Sequence, residues 1–143
     1  METVNELPGI ISEGNTPHAD SAGNYSPLTL AYIGDAVFEL LVRTHVLSQG
    51  GNMQAAKLHK KSAALVCAKA QNEAYFKLLD HLNDDELDIL KRGRNARPNT
   101  MAKRTSVSEY LHATGVEALF GYLFLSGKSA RVRELFQIIS SSN

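Results

Sequence analysis

From Pro27 to Ser140 the apolar residues of this sequence recur every three to four positions, and no stretch shows the strict alternation of a half-buried strand. That periodicity restricts the chain to an all-α helical bundle, without internal repeats or coiled-coil heptads. The 143 residues are enough for one domain with a real core and too few for two comfortable ones. Residues 1–26 mix Pro, Gly, Ser and Asn and read as an irregular tail, with Leu7 to Ile11 as a short segment that would lie on the domain; the folded domain is expected over 27–143.

The first helix is predicted from Pro27 to Ser48. Ser26 supplies a capping hydroxyl, Pro27 suits the first helical position, and Gly50-Gly51 provides a stop. Leu30, Ile33, Val37, Leu40 and Leu41 form its expected apolar face. Met53 to Leu82 reads as a short helix and a longer one, with a break near Lys57 to His59 and with Leu58, Leu65, Val66, Ala70, Tyr75, Leu78 and Leu79 as core positions. Asn83-Asp84-Asp85-Glu86 is a helix start, a capping side chain followed by acids that complement the helix dipole. That helix is predicted to end at Arg92-Gly93, with a loop from Lys91 to Arg104. Ser106 or Ser108 caps the next helix, over Glu109 to Ser126, and a last amphipathic helix spans Ser129 to Ser140 with Val132, Leu135, Phe136 and Ile139 on one face.

A single cysteine, Cys67, excludes an internal disulfide and a Cys-x-x-Cys zinc site, and suits a reducing cytoplasm. Its setting in AALVCAKA predicts a small buried hydrophobe. No basic, apolar leader opens the chain, and no apolar run is long enough to cross a membrane, so a membrane partner is not expected.

Formal net charge is zero, but its distribution is uneven. All four acids of residues 1–26 lie there without a Lys or Arg, leaving 15 basic against 11 acidic residues in the remainder. Lys57, His59, Lys60 and Lys61 form one basic cluster. The segment KRGRNARPNTMAKR, residues 91–104, holds six basic residues and no acid. Such density is a footprint for phosphate, although a solvated helix end also accounts for it.

Within this frame the chemistry concentrates on two acids. Asp35 interrupts the apolar run LAYIGDAVFELLV, where it is expected to be buried, with Gly34 beside it and Glu39 one turn on; Glu117 interrupts HATGVEALFGYLFL. Packing of these two helices together would bring both acids into one pocket, and two carboxylates in contact need a positive partner. A hard divalent cation such as Mg²⁺ would fit, since it takes one or two carboxylates plus waters and a substrate phosphate. A buried ion pair with Lys or Arg fits the spacing equally well.

LAYIGDAVFELLV resembles the signature helix of the ribonuclease III catalytic domain, an apolar pair followed by Gly-Asp-Ala and further apolar residues. VEALFGYLFLSG is similar to that family's second acidic motif. Between them, LHKKSAALVCAKAQ and KRGRNA resemble the Mini-ribonuclease III branch, and the likeness runs from about Leu28 to Phe136. It implies a homodimeric, Mg²⁺-dependent endoribonuclease acting on double-stranded RNA, with Asp35 as principal catalytic acid and Glu117 as its metal-binding partner, giving 5′-phosphate and 3′-hydroxyl ends. The implied substrate is precursor ribosomal RNA of the large subunit in the cytoplasm, with a ribosomal protein or pre-ribosome as a candidate partner.

Two positions depart from the wider family: Ala31 stands where it has a glutamate four residues before the aspartate, and Thr114 where it has an aspartate three before the second glutamate. The mini branch is similar in both losses. Waters or the Thr114 hydroxyl would then complete a metal shell, with Glu39 as a further auxiliary candidate. A chain ending at Asn143 is expected to lack an appended RNA-binding domain, which leaves Lys60, Lys61, Lys91, Arg92, Arg94 and Asn95 to grip the duplex through shape and phosphates. The competing reading is a non-catalytic RNA-binding or ribosome-associated protein of the same fold.

Overall fold

The computed structural model describes residues 19–97 and 106–141, and every regular element in them is helical. Six α-helices follow in order: α1 (Pro27–Gly50), α2 (Ala55–Val66), α3 (Ala68–Leu78), α4 (Asp84–Asn95), α5 (Val107–Leu125) and α6 (Ser129–Ser140). Leu7 to Ile11 lie outside the described residues.

The starts and stops follow from local chemistry. Ser26 Oγ accepts the Thr29 amide at 3.2 Å ahead of Pro27. Gly51, at φ +62°, closes α1 by donating its amide to the Leu47 carbonyl. Asn83 and Glu86 form a reciprocal capping box at α4, and Ser106 Oγ accepts the Glu109 amide at the start of α5.

The interior is built around α5, which packs against α1, α3, α4 and α6. Val116, Leu119, Phe120 and Leu123 are fully buried there. Phe38 of α1 stands edge-on to both Phe120 and Phe136, with ring centroids 5.4 and 5.9 Å away.

On α1 the buried line is Leu30, Ala31, Gly34, Phe38, Val42 and Val46. It differs from the expected face: Leu30 is buried, Ile33, Val37 and Leu41 are half-buried, and Leu40 is 45% exposed. Small residues at 31 and 34 let α1 approach α5 closely, so the contact runs along them rather than along the largest side chains.

Two other expectations are corrected in the middle of the chain. The elbow between α2 and α3 falls at Cys67, not near Lys57 to His59, and Cys67 is exposed rather than buried. Leu65 is likewise 42% exposed. Nothing in the alanine-rich AALVCAKA breaks a helix by propensity; at the turn Gln71 Nε2 donates to the freed Val66 carbonyl, five residues back, at 3.0 Å.

At the other end of the bundle, α4 continues to Asn95, so Lys91–Asn95 is helix rather than loop. Gly93 does not terminate it. A Cβ there would meet Ala118 Cβ at 2.8 Å and Gly115 Cα at 2.9 Å, which identifies Gly93 as the point where α4 presses on α5. Ahead of α1, residues 19–24 form a 3-10 helix whose Ala22 is fully buried, and Arg92 Nη1 donates to the Gly23 carbonyl at 3.2 Å.

Candidate active site

The crossing of α1 and α5 places Asp35 and Glu117 side by side. Gly34 and Gly121 lie at the contact, and a Cβ on Gly34 would overlap the Glu117 carbonyl oxygen. Close helix approach is thus what brings the two carboxyl groups within hydrogen-bonding reach of one another. Their environments differ. Asp35 is exposed, not buried, although its helical position is on the same face as Ala31, Phe38 and Val42. Glu117 is the half-buried member of the pair.

Burial raises the Glu117 carboxyl from its ordinary 4.5 to about 8, and the neighbouring Asp35 charge and their shared hydrogen bond add to the rise. At neutral pH Glu117 therefore holds a proton between the two groups. Among the described residues neither carboxylate forms an ion pair with a Lys or Arg. That disfavours the buried ion pair that the sequence left open. No cluster of three or more His, Cys, Asp or Glu side chains suited to a metal is present among the described residues. Two adjacent carboxyl groups with no cationic neighbour are an all-oxygen donor set that fits a hard divalent ion keeping several waters.

Behind Glu117 lies Gln71 of α3, 2% exposed, whose Nε2 is 3.5 Å from Glu117 Oε2. Sequence reasoning does not single it out. The signal is present all the same, since Gln71 shares the i, i+3, i+4, i+7 face of Ala74, Tyr75 and Leu78, all buried.

The remaining candidates fall elsewhere. Glu39 pairs with Arg43 through an exposed 2.8 Å contact one turn along α1. Thr114 is 6% exposed and donates its hydroxyl to the Tyr110 carbonyl at 3.0 Å; Ala31 is packed at the α1–α5 contact. Lys60 and Lys61 are exposed on α2, and Lys91 and Asn95 are exposed on the last turns of α4. Arg92 and Arg94 are half-buried. Arg94 Nη1 donates to the Tyr75 hydroxyl at 3.0 Å and its Nε to Asn95 Oδ1 at 3.1 Å. A cleft of about 300 Å³ lined by Phe38, His45, Glu73, Lys77 and Phe136 includes neither acid of the pair.

Residues 28–128 match the model of the Ribonuclease III domain family. The chain belongs to that family. It is 41% identical over 114 residues to a Mini-ribonuclease 3 of Clostridium tetani, covering 80% of this chain and 76% of that one. Against the Mini-ribonuclease 3 of a Thermoanaerobacter species the figure is 44% over 113 residues, 79% of each chain. The Staphylococcus aureus Mini-ribonuclease 3 is 40% identical over 116 residues, covering 80% of this chain and 86% of that one. A crystal structure of a Fusobacterium nucleatum protein superposes with a TM-score of 0.73 at 33% identity, covering 80% of this chain and 91% of that one. The all-helical bundle expected from the sequence is therefore a ribonuclease III domain fold, and the segments that carry Asp35 and Glu117 are the helices that cross at Gly34 and Gly121.

Proposed function

We propose that this ribonuclease III family chain is a Mg²⁺-dependent endoribonuclease that cuts double-stranded RNA to leave 5′-phosphate and 3′-hydroxyl ends. Its substrate in the cytoplasm is precursor ribosomal RNA of the large subunit. The observation that carries the reading is the contact of an exposed Asp35 with a half-buried Glu117 where α1 crosses α5. Mg²⁺, when bound, would supply an acidified water and charge stabilisation for the leaving oxygen. Asp35 and Glu117 are the residues that would hold it, Glu117 giving up the proton it shares with Asp35. Asp35, on the solvent side, faces the phosphodiester, while Glu117 anchors from behind.

An A-form duplex offers phosphates and 2′-hydroxyls rather than base edges, and Lys60, Lys61 and Lys91, exposed and in no ion pair among the described residues, would supply ammonium groups to it. Arg92 and Arg94 each keep guanidinium donors beyond those spent on Gly23, Tyr75 and Asn95. We infer a symmetric homodimer from α1, whose Leu28, Tyr32, Leu40 and Leu47 are 39, 77, 45 and 55% exposed on a helix that already supplies the core from its other face.

A labelled perfect duplex titrated with Mg²⁺ tests the reading. Wild type is expected to give discrete products, and Asp35→Asn is expected to bind the duplex without cutting it. Ala31 and Thr114, with no third carboxylate at the pair among the described residues, favour the second reading of a non-catalytic RNA-binding protein. Binding without products in the wild type at any Mg²⁺ concentration would select it.

A further inference from the structure

The carboxamide of Gln71 is held in one orientation. Its Nε2 donates to the Val66 backbone carbonyl at 3.0 Å, and a carbonyl only accepts, so the nitrogen end of the amide is fixed there. The same nitrogen lies 3.5 Å from Glu117 Oε2, which sets the amide alongside the acidic pair. The oxygen end is buried and has no hydrogen-bond partner among the described residues. Buried acceptors in folded proteins are almost always paired, so an orphaned one on the side chain that touches Glu117 marks the place of a donor that the described residues do not provide. Neither a lysine nor an arginine among the described residues is placed to serve. Water bound to a divalent cation is such a donor, made stronger by the charge it coordinates.

We propose that Gln71 is the positioning residue of the acidic pair, its Oε1 accepting a hydrogen bond from a water carried by the cation that Asp35 and Glu117 hold. The inference rests on the cation reading above and deepens it. It also adds an oxygen where Ala31 has no polar side-chain atom and where Thr114, 6% exposed, turns its hydroxyl back onto the Tyr110 carbonyl of its own helix. A third oxygen comes instead from a different helix, α3, through a side chain that already brackets the α2–α3 elbow. Groups that orient the ligands and waters of a metal typically change its affinity about 10- to 100-fold when removed.

Mn²⁺ binding in the absence of RNA, read from the electron paramagnetic resonance of the free ion, separates this role from turnover. Wild type is expected to bind, and Asp35→Asn to lose binding. Gln71→Leu should weaken Mn²⁺ affinity by about 10-fold or more. Gln71→Glu, which keeps an oxygen but loses the bond to Val66, should restore affinity to the wild-type range or tighter. A folded Gln71→Leu protein that binds Mn²⁺ like wild type overturns the proposal and leaves an ordinary buried water at Oε1. Should Gln71→Leu not fold, Gln71→Glu decides alone: affinity as weak as in Asp35→Asn would reduce Gln71 to its bracket on the elbow. Wild type that binds no Mn²⁺ removes the cation reading itself, and the assignment of Gln71 with it.

Discussion

Gly34 and Gly121 face each other where α1 crosses α5: a Cβ on Gly34 would stand 2.9 Å from the Gly121 nitrogen, and one on Gly121 would stand 3.0 Å from the Gly34 nitrogen. The carbonyl oxygens of Glu117 and Leu30 would be nearer still. Both obstacles are backbone, so neither can rotate away. Gly34→Ala therefore has to push the helices apart along the line that also carries Asp35 and Glu117. Overpacking of this kind costs about 3 kcal/mol or more, and thermal unfolding should register it as a fall in Tm of roughly 10 °C. The same substitution at Gly127, whose built Cβ meets nothing within 4 Å but whose φ is +74°, should cost about 1 kcal/mol through backbone strain alone.

The features legible in the sequence are those whose partners lie within one turn. Ser26 caps Thr29, Asn83 and Glu86 cap each other, and Ser106 caps Glu109. Features fixed by distant partners are not legible. Gly93 reads as a stop signal until Gly115 and Ala118 are seen against it. The same division runs through the site. Asp35 and Glu117 stand out in the sequence as acids within apolar runs, whereas which of them is desolvated depends on how α1 packs on α5. Leu40 and Leu65 depart from their expected burial for that reason: helical periodicity gives a face its width, and only packing decides its centre.

The elevated Glu117 carboxyl makes the metal-free chain sensitive to alkali. Its folded-state value of about 8 lies above the 4.5 of an ordinary glutamate, so the folded state binds the proton more tightly than the unfolded state. The resulting stabilisation is complete below pH 4.5 and is lost as pH rises to about 8, a change on the order of a few kcal/mol. Denaturant midpoints in chelator should fall across that window, and Glu117→Gln, neutral at every pH, should flatten this part of the curve.

Arg131 joins α6 to the start of α4. Its Nε and Nη2 each lie 2.8 Å from a Glu86 carboxylate oxygen, and Nη2 also donates to the His81 carbonyl at 2.6 Å. Glu86 is 2% exposed, and although burial alone would raise its carboxyl, the bonds from Arg131 and the Asn83 amide hold it below the usual range. Arg131→Met leaves that carboxylate buried and unpaired and should destabilise by about 3 to 5 kcal/mol. The double variant Arg131→Met with Glu86→Gln should recover part of the loss. Additive losses in urea unfolding would show that the two side chains do not act as a pair.

The outward face of α1 predicts the state of assembly. Leu40 is 45% exposed and Tyr32 is 77% exposed, on the side of the helix turned away from the Phe38 cluster. A charge placed in a symmetric apolar interface is met by its own copy across the two-fold axis. Leu40→Glu should therefore sediment at the mass of one chain while keeping the helical circular dichroism of wild type. Wild type that sediments as a single chain at tens of micromolar would remove the dimer.

Duplex binding should divide the basic residues into two classes. Lys60, Lys61 and Lys91 are exposed and form no ion pair among the described residues, so each is free to displace a counterion from a phosphate. Arg94 instead spans α4 and α3 by donating to the Tyr75 hydroxyl beneath the α3–α5 contact. Replacing the three lysines with alanine should leave Tm near wild type and lower the slope of log affinity against log salt by about 0.7 to 0.9 for each phosphate no longer neutralised. Arg94→Ala should do the reverse in part: a stability loss of about 1 to 3 kcal/mol from the unpaired tyrosine hydroxyl, with a change in slope no larger than a single phosphate accounts for. A salt slope unmoved by the triple lysine variant would place the duplex on another face of the bundle and assign these lysines to solvent alone.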